Sequence, residues 1–207
     1  MKKKQIKLVL FDLDGVLINS KSNMHSSWTA VKKKFNINVH FNKYFKCIGL
    51  PFNDILNHLN IDKKLFKKIS KTYSKTSITE IKKIKLYPNV KETINKLVAN
   101  KIKVAIVTSK EKKRSIRIIK SLGLKINTVV SPNSKLRGKP KPDQILKAIK
   151  QFKSKKQNTV YIGDMKVDYY SAKNAKIDFI FAKYGYGKIS KLYKYSINDI
   201  SKILQMV

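Results

Sequence analysis

Five short apolar runs constrain the fold most. They are "IKLVLFD" (Ile6 to Asp12), "KVAIVTS" (Lys103 to Ser109), "INTVVS" (Ile126 to Ser131), "TVYIGD" (Thr159 to Asp164) and "DFIFAK" (Asp178 to Lys183). Each is continuous rather than alternating, the pattern of a strand covered on both faces. Helical patterns lie between them. "NVKETINKLVANK" offers Asn89 as an N-cap, Glu92 at the third helical position, and Val90, Ile94, Leu97 and Val98 at helical spacing. "KEKKRSIRIIKSLGL" aligns Ile116, Ile119 and Leu122, with Gly123 as a stop. "PDQILKAIKQF" opens on Pro142-Asp143 and aligns Ile145, Leu146, Ile149 and Phe152, and "DYYSAKNAK" reads as a short helix. Strands alternating with helices in this way imply an α/β fold, a parallel sheet with helices on both faces.

The segment from Ser20 to Ile81 breaks the alternation. "HSSWTAVKKKFNI", "PFNDILNHLNI" and "KKLFKKISKTYSKTSITEIKKI" read as helices, with Trp28, Val31 and Phe35 on one face. The expected organisation is a sheet-bearing core from residues 1–19 and 82–207, with a small helical insertion at 20–81. "SINDISKILQMV" reads as a last helix on the core. A chain of 207 residues with 42% hydrophobic content is large enough for such a core.

In open parallel sheets, ligands bind beyond the carboxyl ends of the strands. Asp12, Asp14, Thr108, Ser109 and Asp164 all fall at such ends. The pair in "VLFDLDGVLI" is the most demanding, because two nearby carboxylates repel unless a cation or a proton lies between them. A calcium loop does not account for them, since no Glu stands at the twelfth position from Asp12.

Four motifs stand in order: "DLDGV", "VTSK", "GKPKPD" and "GDMKVD". Each is weak alone. Together they resemble the haloacid dehalogenase superfamily, in its phosphoglycolate-phosphatase-like branch. The resemblance extends through "LYPNVKETINKLVANKIKVAIVTSK" and "VYIGDMKVDYYSAKNAKI" and is loosest in the insertion. It implies a Rossmann-like core with a helical cap inserted after the first motif. It implies Asp12 as nucleophile, forming an aspartyl-phosphate, and Asp14 as general acid and base. It implies Mg²⁺ held by Asp12, Asp14 (also through its carbonyl) and Asp164, with Asp168 acting through water or holding the lysine. Thr108 would bind phosphate through its hydroxyl and Ser109 through its N–H. Lys139 would neutralise the phosphate, in preference to Lys141, because the family pattern places the lysine first in Lys-Pro-x-Pro. "YGYGK" (Tyr184 to Lys188) resembles a family loop that approaches the site, and "CIGLPFNDIL" resembles a cap loop that makes Lys46, Phe52 and Asn53 specificity candidates.

The implied function is a Mg²⁺-dependent phosphomonoesterase acting on a small phosphorylated metabolite of phosphoglycolate type. Alternatives within the superfamily are a sugar-phosphate phosphatase, a pyrophosphatase, a nucleotidase, and then a β-phosphoglucomutase-like mutase. The mutase is disfavoured because its fourth motif usually reads Glu-Asp. The net charge of +35 raises a further alternative, a non-catalytic nucleic-acid-binding protein. Yet 47 basic residues include only three arginines, Arg114, Arg117 and Arg137, and the lysines are dispersed. Enrichment in Lys, Ile, Asn, Tyr and Phe together matches AT-biased coding. Nucleic acid is therefore not expected as a partner. No apolar run reaches the roughly 20 residues of a membrane span. "MKKKQIKLVLFDLDG" reads as a first strand rather than a leader. The single Cys47 is expected to be a small buried residue, and cytoplasmic localisation follows. His25, His40 and His58 have no metal-ligand spacing.

Overall fold

The computed structural model describes residues 5–126, 128–189 and 193–207. Met1 to Lys4, in the opening run, and Asn127, in the 126–131 run, lie outside the described residues.

A six-stranded parallel sheet is the frame. Its strands are β1 (Leu8–Phe11), β4 (Lys103–Val107), β5 (Val129–Val130), β6 (Thr159–Gly163), β7 (Asp178–Ala182) and β8 (Tyr195–Ile197). The spatial order is β5-β4-β1-β6-β7-β8. The strand-end residues of β1, β4 and β6 are thereby neighbours, with Phe11 in register with Ile106 on one side and Ile162 on the other.

Strand alternation divides the core into two layers. Val9 and Phe11 join Ile106, Ile162 and Ile180 beneath α5 (Val90–Ala99) and α6 (Lys112–Ser121). Leu8 and Leu10 join Ala105, Val107 and Tyr161 beneath α7 (Asp143–Gln151) and α8 (Lys166–Ala175). This is the Rossmann-like arrangement, with every run of apolar residues covered twice.

Several local details differ from the sequence reading. Val98 is 52% and Leu146 36% exposed, because each sits beside the residue that fills the inner face, Leu97 and Ile145. Asn89 occupies the N-cap of α5 in the left-handed region (φ 61°), and its side chain does not cap the helix. It donates instead to Asp199 Oδ2 at 2.9 Å. The C-terminal segment is not a single α-helix. It forms β8 and then a 3₁₀ helix over Ile200–Gln205, started by Asp199, whose side chain accepts from the Ser201 N–H. Cys47 is half-buried, with its thiol near the Lys43 carbonyl.

Between β1 and α5 lie the helices α1 (Lys21–Phe35), α2 (Phe41–Phe45), α3 (Phe52–His58) and α4 (Phe66–Thr79). They enclose a third apolar cluster around Trp28, Val31, Tyr44, Leu56, Ile69 and Tyr73. Two short strands, β2 (Ile18–Asn19) and β3 (Lys85–Leu86), pair antiparallel where the chain leaves and re-enters the sheet. Asn23 ties the first helix to the last, donating from Nδ2 to the Ser77 and Glu80 carbonyls at 2.9 Å.

Candidate active site

The sheet order brings four of the chain's twelve acidic residues, Asp12, Asp14, Asp164 and Asp168, to one end of β1 and β6. Asp12 follows β1 directly, and its N–H donates to the Ile162 carbonyl at 2.9 Å. Asp164 follows β6, and Asp168 lies in the first turn of α8. Carboxylate oxygens of Asp12, Asp164 and Asp168 lie within 4.8 Å of one another, and all three residues are buried.

Lys139 enters this cluster from the loop before α7. Its Nζ lies 2.6 Å from Asp12 Oδ1 and 2.6 Å from Asp168 Oδ1, and the side chain is fully buried. Lys141, two residues on, is exposed. Burial pushes the Lys139 ammonium towards deprotonation, but attraction from Asp12 and Asp168 outweighs it and holds the proton more firmly than usual.

Asp168 is saturated. Besides Lys139, its Oδ1 accepts from the Tyr161 hydroxyl at 2.9 Å, and its Oδ2 accepts from the Met165 N–H at 3.0 Å, which caps α8. It ties the lysine to the start of α8. Asp164 differs. Its Oδ2 accepts from the Tyr186 N–H at 2.7 Å, but its Oδ1 is buried without a hydrogen-bond partner among the described residues. An orphaned carboxylate oxygen at such a depth is costly unless a cation or proton meets it. Burial, followed by repulsion from Asp168 and Asp12, pushes the Asp164 carboxyl well above the usual carboxylate range. Burial likewise pushes Asp12 up to about 7, with Lys139 opposing and Asp168 and Asp14 adding. Hard oxygen donors in an acidic cluster, one of them unpartnered, fit a divalent cation that prefers oxygen.

Asp14 stands outside that carboxylate group and borders the cavity beside Asp12. Its Oδ1 accepts a short bond from the Ser20 hydroxyl, and its Oδ2 lies 3.1 Å from Lys110 Nζ. Burial lowers the Lys110 ammonium below its ordinary range, with Asp14 opposing. Gly15 makes the turn directly after Asp14. Its φ is +87°, and a Cβ there would collide with the Asp164 carboxylate.

Thr108 and Ser109 follow β4. Thr108 Oγ1 accepts from the Lys110 N–H at 3.2 Å, and the Thr108 carbonyl accepts from Gln144 Nε2 at 2.8 Å, which fixes this strand end to α7. The Ser109 hydroxyl donates to the Gly49 carbonyl at 2.6 Å, so the helical segment rests on the strand end. Tyr186 makes a second bridge, its hydroxyl accepting from the Ser20 N–H at 2.7 Å and its ring meeting Phe45 edge-on.

Between the helices and the sheet end lies a cavity, partly open to solvent, bordered by Asp12, Asp14, Thr108 and Ser109 on the sheet side and by Tyr44, Phe52 and Tyr73 on the helical side. Its internal room is about 50 Å³, enough for only a few water-sized groups. Phe52 borders it, whereas Lys46 is exposed and Asn53 lines a neighbouring groove instead. Sequence reading missed Lys110, Arg114, Tyr44 and Tyr73, which also border this cavity. Lys110 stands inside "VTSK", the one signal that pointed to it.

The profile of the haloacid dehalogenase-like hydrolases matches residues 9–182. The chain belongs to this family. Among its hydrolase relatives, the pyrophosphatase PpaX of Halalkalibacterium halodurans is 30% identical over 84% of this chain and 81% of that protein. The phosphoglycolate phosphatase of Aquifex aeolicus is 23% identical over 98% of this chain and 97% of that protein. Among solved structures, a predicted phosphoglycolate phosphatase of Haemophilus somnus superposes with a TM-score of 0.89, at 23% identity, covering 99% of both chains. That last likeness speaks for the hydrolase fold alone. Among the described residues, no helix is long and apolar enough to cross a membrane.

Proposed function

We propose that this hydrolase is a Mg²⁺-dependent phosphatase of small phosphorylated metabolites, working through a phosphoryl group carried on Asp12. The observation behind this reading is the meeting of Asp12, Asp164 and Lys139 at the ends of β1 and β6, where Asp12 borders the cavity.

Asp12 attacks phosphorus in line with the leaving oxygen, and the phosphoryl group passes to its carboxylate. Asp14 gives its proton to the leaving oxygen. It then takes one from the water that attacks the aspartyl-phosphate, which releases phosphate and restores Asp12. The Ser20 and Lys110 contacts hold the Asp14 side chain in place for both transfers. Lys139 offsets the negative charge of Asp12 and of the phosphoryl oxygens, and Asp168 with Tyr161 keeps it aimed. Because the Ser109 hydroxyl is committed to Gly49, its contribution to phosphate is the backbone N–H, with the Thr108 hydroxyl beside it. Asp12, Asp164 and the Asp14 carbonyl would hold Mg²⁺, which supplies charge neutralisation at the phosphoryl oxygens. Residues 20–81 serve as a cap over the cavity, to which they contribute Tyr44, Phe52 and Tyr73.

Phosphoglycolate is the first reading, supported by the likeness to the phosphoglycolate phosphatase of Aquifex aeolicus. A second reading, pyrophosphate, is favoured by the 30% identity with a pyrophosphatase. Both are tested by ranking a panel of phosphometabolites by kcat/KM. Asp12→Asn is expected to lower turnover of p-nitrophenyl phosphate by at least about 10³-fold while the protein stays folded. Retained turnover would refute the nucleophile assignment.

A further inference from the structure

Arg114 is the one arginine of the three that is buried. Arg137 is exposed and forked onto Asp143, and Arg117 is exposed. Arg114 sits in the first turn of α6 and borders the cavity, while its neighbours Lys112 and Lys113 point to solvent. Among the described residues it has no carboxylate partner, and its Nε is buried without a hydrogen bond. Its guanidinium lies 5.1 Å from the centre of the Tyr73 ring, a cation–π arrangement that orients the plane without neutralising the charge.

Two further groups border the same part of the cavity. Lys110 lies 3.1 Å from Asp14. The Tyr44 and Tyr73 hydroxyls share one hydrogen bond of 2.8 Å, and whichever donates it, the other hydroxyl keeps a proton with no acceptor among the described residues. A buried guanidinium without an anion, together with an unspent hydroxyl proton, describes half of a recognition site. A guanidinium also offers planar forked donors that an ammonium lacks. That difference matters in a chain whose other basic groups are almost all lysine.

Building on the phosphatase reading, we infer that Arg114, Lys110 and the Tyr44–Tyr73 pair form a second anion subsite, so that the preferred substrate carries, besides the phosphoryl group taken by Asp12, a second phosphoryl or carboxylate group. With pyrophosphate, the bridging P–O bond breaks and one phosphoryl group passes to an Asp12 oxygen. The departing phosphate keeps the bonding electron pair, takes the Asp14 proton, and is held by Arg114. Asp12 and Arg114 border the same cavity, so one substrate can meet both.

The test compares wild type, Arg114→Met and Arg114→Lys on pyrophosphate, phosphoglycolate and p-nitrophenyl phosphate. The readout is the ratio of kcat/KM for a doubly anionic substrate to that for the aryl phosphate. For whichever doubly anionic substrate wild type prefers, this ratio falls about 10²-fold in Arg114→Met, and Arg114→Lys restores part of it. An unchanged ratio overturns the subsite and leaves the phosphatase reading standing. Calorimetry with methylenediphosphonate and methylphosphonate reads the subsite without turnover. Arg114→Met, or Arg114→Lys if the first does not fold, weakens the diphosphonate selectively. Equal weakening of both, or no diphosphonate binding by wild type, overturns the proposal. Failure of wild type to hydrolyse any of the three substrates would instead overturn the phosphatase reading.

Discussion

Lys139 Nζ lies 2.6 Å from Asp12 Oδ1, a contact that spans 127 positions of the chain. It is made inside the protein, where removing one partner of an ion pair leaves the other charge without solvent. Lys139→Met strands Asp12 and Asp168 in mutual repulsion. The expected loss of stability is about 3–5 kcal/mol, on the order of 10 °C in Tm. It should shrink at lower pH, as the stranded carboxylates take up protons. Urea unfolding at two pH values checks this, and an unaltered midpoint would count against the pairing. Tyr161→Phe removes only one donor from Asp168 and should cost about 1 kcal/mol.

Metal binding should couple to pH through the same cluster. Burial first, then repulsion from neighbouring carboxylates, raises Asp12 to about 7 and Asp164 well above the ordinary carboxylate range. The folded state therefore holds more protons than the unfolded state from the ordinary carboxylate pKa near 4 up to about 7. The contribution of these groups to metal-free stability is full below that window and is lost as pH rises through it. A divalent cation competes with those protons, so the rise in Tm on adding Mg²⁺ should be larger near pH 7.5 than near pH 5. A chelator should abolish both that rise and turnover. Equal Tm increments at the two pH values would contradict the coupling.

Gly15→Ala should disable the site. The position combines a φ of +87° with a Cβ path blocked by the Asp164 carboxylate. Relief requires moving either the turn after Asp14 or Asp164 itself. A loss of about 1–3 kcal/mol in stability and at least about 10²-fold in turnover of p-nitrophenyl phosphate is expected. Activity near that of wild type would show that the turn can adjust.

The charge of +35 should speed the approach of anionic substrates without making a nucleic-acid reader. Random duplex DNA is expected to bind only weakly at low salt and to be released by about 200 mM salt. A filter-binding series across salt concentration decides this. Tight binding that survives 200 mM salt would give the basic surface a role of its own.

The sheet was legible because continuous apolar runs and helical spacing are local properties of the chain. The ends of β1, β4 and β6 could be placed within a residue or two, and Asp12, Thr108 and Asp164 stand on those ends. The errors also have local origins. Val98 and Leu146 each adjoin the apolar residue that faces the core, and spacing alone does not choose between adjacent candidates. β8 is three residues long and lies at the sheet edge, beyond what a run of three can signal.

The sequence by itself determined which residues stand at the carboxyl ends of the strands, since strand limits and chain order follow from patterns a few residues long. Tertiary structure alone decided their partners. It gave Lys139 to both Asp12 and Asp168, turned Asp14 towards Ser20 and Lys110, and left Arg114 buried with no acid beside it among the described residues. Those outcomes depend on how helices far apart in the chain pack over one sheet end, and packing at that distance leaves no periodic trace along the chain.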